Sequence, residues 1–130
     1  MSRTYSRAPS EMESARKWTA DRLHKLARGK GMITYGDLAN ELNSTGIIED
    51  LEARSAALAT LLAQVNVEDE EGGRPPLISS LVVHQDDGMP GKGFFGFARE
   101  LGMSPGSSPE AQTDFWMKQV QRCHEYWSRH

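Results

Sequence analysis

"LISSLVVH", residues 77–84, is the best strand candidate in the chain: short, β-branched and largely apolar. A single short strand cannot build a sheet core, because its backbone groups need partners to pair with. The flanking sequence recurs at helical spacing. Residues 10–28 place Met12, Ala15, Trp18, Leu23 and Leu26 on one face with basic residues between them, and Gly29 and Gly31 end that segment. "MITYGDLANEL" gives a short apolar entry and a second helix, in which Thr34 and Asp37 form an S/T-x-x-D/E capping pattern. Tyr35, Leu38, Ala39 and Leu42 share its inner face, and "NSTG" breaks it.

A third helix is expected over about 50–66, with Leu51, Leu58, Leu61, Leu62 and Val65 inward. "VEDEEGGRPP" then reads as an exposed acidic loop. "FFGFAREL" is a brief helix stopped by Gly102, and Ser108-Pro109 supplies an N-cap and first position for a last helix over 109–128. That helix carries Trp116, Val120, Cys123 and Trp127 on one face. The expected fold is mainly α with a small β element, as one domain over 11–130 behind a flexible basic tail, 1–10.

At 130 residues the chain can bury a real core. No run approaches the roughly 18 apolar residues of a membrane span, and the N-terminus has no apolar signal-peptide region. Cys123 is the only cysteine, so no internal disulfide can form, which fits a reducing cytoplasm. Net charge is −3, but residues 1–30 hold eight Lys/Arg against three acids while the rest is acidic. Such asymmetry suggests an anionic partner near the first helix, or a solvated basic face.

"LVVHQDDGMPGKGFF", residues 81–95, concentrates the candidate chemistry. His84, Asp86 and Asp87 would serve as a metal or acid/base cluster only with further ligands, and Asp87-Gly88 reads equally as a turn signal. "GMPGKGFF" would cradle phosphate through glycine amides and Lys92, or form a Pro90-Gly91 turn that seats Phe94 and Phe95 in the core. No G-x-S-x-G elbow surrounds Ser79 and Ser80. Cys123 and His124 are adjacent and project about 100° apart on a helix, so they form no dyad. Cys123 reads as a small core residue, and His24, among basic residues, as a solvent-exposed one. No metal and no cofactor are expected, and no catalytic residue is assigned. An enzyme built on His84 and Asp86 is a minor alternative.

"ITYGDLANEL", "SAALATLLAQVN" and "LISSLVVHQDDGMPGKGFF" stand in an order that resembles the winged-helix domain of alkylguanine-DNA alkyltransferases and the inactive alkyltransferase-like proteins. The resemblance covers residues 15–95, and "TYGDLA" is its specific part. It implies a winged-helix-like domain in which Tyr35 lies against a DNA phosphate and the third helix is the recognition helix. Matching Asp87-Gly88 to the family "DG" puts the family's intruding arginine near Ala56, where only Arg54 is close. It puts the reactive cysteine at Ser80, with Leu81 and Val82 in place of His and Arg. This departure removes the alkyl acceptor, so alkyl transfer is not implied.

The reading is a non-catalytic protein that binds double-stranded DNA or a DNA-bound complex. Arg16, Lys17, Lys30, Thr34, Tyr35, Arg54 and Lys92 would contact DNA. Ser79, Ser80, His84, Gly88, Pro90, Gly91 and Gly93 would shape a pocket or binding loop. The alternative is a protein-interaction module that offers its acidic surface to a basic protein partner.

Overall fold

The computed structural model describes residues 9–130, so the expected tail lies outside the described residues except for Pro9 and Ser10, which open the first helix. The chain runs α1 (Pro9–Arg28), β1 (Ile33–Thr34), α2 (Tyr35–Ser44) and α3 (Ala56–Glu71). A 3-10 turn (Ile78–Leu81), β2 (Val82–Val83), α4 (Lys92–Glu100) and α5 (Pro109–Ser128) follow. The class is mainly α with a small β element, as the periodicity predicts. The β element is a parallel pair, Ile33 opposite Val82 and Thr34 opposite Val83.

Local chemistry sets most boundaries. α1 stops where Gly31 donates to the Leu26 carbonyl at 2.8 Å and Lys30 turns left-handed. The Thr34 hydroxyl accepts from the Asp37 amide, and the Ser108 hydroxyl accepts from that of Ala111, so both expected caps form. Gly102, at φ +83°, closes α4.

Two elements differ from expectation. α3 begins at Ala56 rather than near 50, because the Asn43 side chain occupies both backbone groups of Leu51, each at 2.8 Å. Residues 50–55 are thereby held as a loop, and Ser55 caps the helix behind it. At the other end α3 runs on through Glu71, into the stretch expected as an acidic loop. Asp69 there is fully buried, accepting Arg74 Nε at 3.0 Å and pairing with His24 Nε2 at 2.9 Å. His24 is correspondingly not a solvent-exposed residue: it stacks on Trp127 with ring centroids 3.9 Å apart. A carboxylate inside the protein holds an imidazole that an amphipathic pattern places outside.

"LISSLVVH" is half 3-10 turn, and only Val82–Val83 of it is strand. All four residues of the turn are buried, and it packs against α1, α3 and α5 at once. The main core gathers Leu23, Leu38, Leu42, Leu61, Val65 and Leu81 around it, and a smaller cluster seats Phe94, Phe95 and Ala98 on Leu77. The 3-10 turn is the hub that joins α5 to α1 and α3, and Leu77 just before it seats α4.

Candidate functional site

A cavity of about 650 Å³ opens between α3, the 3-10 turn, the 84–91 turn and α4. Its walls are Ala59, Leu62 and Ala63 from α3 and Phe94, Gly96 and Phe97 from α4. This volume lies in the range of small-ligand clefts. The width follows from small side chains: a Cβ built on Gly93 or Gly96 would meet nothing within 4 Å.

Two of the most buried polar side chains lie at its floor. Asn66 is 2% exposed and Ser79 5% exposed, and both line the cavity. The Asn66 amide donates to Ser79 Oγ at 2.8 Å, while its carbonyl oxygen accepts the Ser79 backbone amide at 3.1 Å. The second contact determines which way the amide faces, since only an oxygen accepts from N–H. Ser79 Oγ is therefore an acceptor toward Asn66. No acceptor among the described residues takes its own proton or the second amide hydrogen of Asn66.

At the mouth Tyr35 stacks on His84, centroids 4.4 Å apart, and its hydroxyl accepts the Gly91 amide at 3.1 Å. Burial raises the Tyr35 pKa above its ordinary value, and the Gly91 amide opposes that shift. Gly91 fits this spot because a Cβ would lie 3.2 Å from the tyrosine oxygen and 3.3 Å from His84 Nε2. The turn between them is closed by Gly88, which donates to the His84 carbonyl at 2.9 Å, and by Asp87 Oδ1, which accepts from Met89. Arg54, in front of α3, reaches Asp86 of the same turn at 3.6 Å. α4 starts beside them with Lys92 and has neither a side-chain cap nor an acid in its first turn.

The expected residues thus divide. Tyr35, Arg54, Ser79, His84, Gly91 and Gly93 come together around the cavity, and exposed Lys92 stands between the last two in the chain without lining it. Pro90 is buried and Gly88 shapes the turn at φ +68°. Ser80 points elsewhere: it is buried, its carbonyl accepts Trp116 Nε1 at 2.8 Å, and its hydroxyl faces Cys123. Burial drives the Cys123 thiol up to about 12.

The cations of α1 do not join the site. Arg16 pairs with Glu68, Arg22 with Glu41 at 2.6 Å, and Lys17 with Glu13 at 3.6 Å. Arg28 lies over the Trp127 ring, and Lys30 lines a separate groove beside α5. Thr34 uses its hydroxyl as a cap. Sequence reasoning missed Asn66, Phe97 and Glu100, which also line the cavity. The Asn66 position was legible only as one polar residue on the apolar face of α3.

Among the described residues no three His, Cys, Asp or Glu side chains cluster to hold a metal ion, and no helix is long and apolar enough to cross a membrane. Comparison with family models, curated proteins and solved structures returns no match.

Proposed function

We propose that this chain is a non-catalytic recognition module that associates with DNA through the cavity end of the fold. The observation that carries the reading is that Tyr35 and Arg54 line a preformed cleft, with exposed Lys92 between its lining residues Gly91 and Gly93, while Arg16 and Arg22 of α1 are paired with acids. Exposed Arg54 and Lys92 supply phosphate contacts, and the cleft supplies the recognition surface. Ser79 is not set up as a nucleophile: its hydrogen-bonding neighbour is an amide, which cannot take its proton.

Fluorescence anisotropy on a labelled duplex at rising salt tests this reading. Two phosphate contacts give a log–log slope of about −2, far shallower than that of a protein using the whole basic helix. Arg54→Ala should weaken binding, and Lys17→Ala should not. Undetectable binding to duplex at low salt sinks the proposal.

A second reading, a protein-interaction module, is supported by the acidic balance of residues 31–130, seven Lys/Arg against fifteen Asp/Glu. A stoichiometric partner captured with equal yield before and after nuclease treatment would establish it in place of the first.

A further inference from the structure

We infer that the outer face of α5 is a docking surface for a second copy of this chain, with the two α5 helices antiparallel about a two-fold axis at Met117. This surface shares no lining residue with the cavity, and the inference does not rest on the DNA reading.

A groove of about 670 Å³ runs between α5 and residues 30–32. Its far wall is pinned to the helix, because His124 Nε2 donates to the Gly31 carbonyl at 3.0 Å. Half-buried Trp116 and Val120 line it, and the Trp116 ring is fixed by its own bond to the Ser80 carbonyl at 2.8 Å. Three large apolar side chains are exposed among the described residues: Met32, Val67 and Met117. Two of the three, Met32 and Met117, line this one groove inside a charged rim, the pattern of an interaction surface.

The order of charges selects the occupant. A two-fold axis sets each residue opposite one equally far beyond the axis. Asp114 and Lys118 flank Met117 on the exposed face of α5, so antiparallel helices bring Asp114 of each copy against Lys118 of the other. Their present contact at 3.1 Å, along one helix and exposed, is worth little in water and is readily exchanged. His124 and Glu110 each lie seven residues from Met117, in opposite directions. The bond from His124 to Gly31 holds the neighbouring Lys30 at the His124 level, which the two-fold places opposite Glu110 of the second copy. Neither Lys30 nor Glu110 has an ion-pair partner among the described residues. Glu125, eight residues beyond Met117, falls at the start of the opposite helix, where a carboxylate is favoured. Parallel helices would instead set Asp114 on Asp114 and Lys118 on Lys118. The face is thus complementary to itself.

The test is light scattering and sedimentation equilibrium of the full chain from about 1 µM to 1 mM, since a helix pair about 30 Å long makes an interface at the small end of the specific range. The mass should rise with concentration from 14.5 kDa toward twice that value. Met117→Glu changes a side chain that is 59% exposed, so the fold should persist while self-association weakens at least about ten-fold. Asp114→Lys and Lys118→Asp should each disfavour the homodimer, whereas the two variants mixed should associate at least about ten-fold more tightly than either alone. Met117→Cys should form an interchain disulfide, because Cys123 is buried and offers no competing thiol. Glu110→Cys should not, since the two copies of that position lie about 20 Å apart.

A monomer at every concentration overturns the inference. So does self-association that survives Met117→Glu, a mixture no tighter than its separate variants, or a disulfide at position 110 rather than 117.

Discussion

Asp69 and His24 meet 2.9 Å apart in the interior, joining α3 to α1 where the chain shows only an acidic run and a basic helix. The carboxylate is fully buried and takes Arg74 as its second partner. Its removal leaves two cationic or polar groups without their common acceptor. Asp69→Ala should therefore cost about 3 kcal/mol or more, read as a lower urea midpoint. Arg74→Ala should cost less, because His24 still holds the carboxylate. Equal losses in the two variants would show that the histidine contact contributes nothing.

Cys123 makes the protein sensitive to alkali. Burial raises its thiol from the ordinary 9.0 to about 12, so the folded state keeps the proton that the unfolded chain releases. This contribution is complete below pH 9 and is lost as pH rises toward the folded value. Cys123→Ala should flatten the decline of the unfolding midpoint above pH 9. A disulfide reagent at pH 8 should label the native thiol only as fast as the protein opens.

The Tyr35 hydroxyl ties α2 to the cavity mouth through the Gly91 amide. Tyr35→Phe keeps the ring against His84 but leaves that amide without its acceptor, at a cost of about 1 kcal/mol. Hydrogen exchange should quicken at Gly91 and across 84–91, with α1 and α5 unchanged. Uniform acceleration over the whole chain would refute a local tie.

Gly102 closes α4 at φ +83°, a conformation L residues rarely adopt. Gly102→Ala should lower stability by about 1 kcal/mol, although its Cβ would meet nothing within 4 Å. Gly96→Ala, also in open space but helical, should be neutral or stabilising. Thermal unfolding of the two variants separates backbone strain from crowding.

Helices among the described residues were legible where they carry their own punctuation. Thr34, Ser108-Pro109 and Gly102 act on the backbone within four residues, so their effect needs no tertiary partner. The buried face of α2 followed from apolar spacing for the same local reason; on α5 Cys123 and Trp127 did, while Trp116 and Val120 are half-buried and the polar Gln119 is buried instead. The bounds of α3 did not, because they depend on Asn43 gripping Leu51 and on Asp69 meeting His24 and Arg74, contacts across 8 and 45 residues and, for Arg74, beyond the helix end.

The candidate site shows the same division. Sequence singled out Tyr35, Arg54, Ser79, His84 and the glycines of 88–93 by residue type. It also proposed Arg16, Lys17 and Lys30 beside them, and treated Ser79 and Ser80 alike. Only the tertiary structure separates these, by what each side chain lies beside. Arg16 is tied to Glu68 and Lys17 sits on α1 outside the cavity lining, while Arg54 lines the cavity with an exposed contact to Asp86. The 3-10 turn sends Ser79 toward Asn66 and the cavity and Ser80 toward Cys123. Local backbone preference determined where the helices lie, and long-range packing of a buried turn decided which polar groups face the cleft.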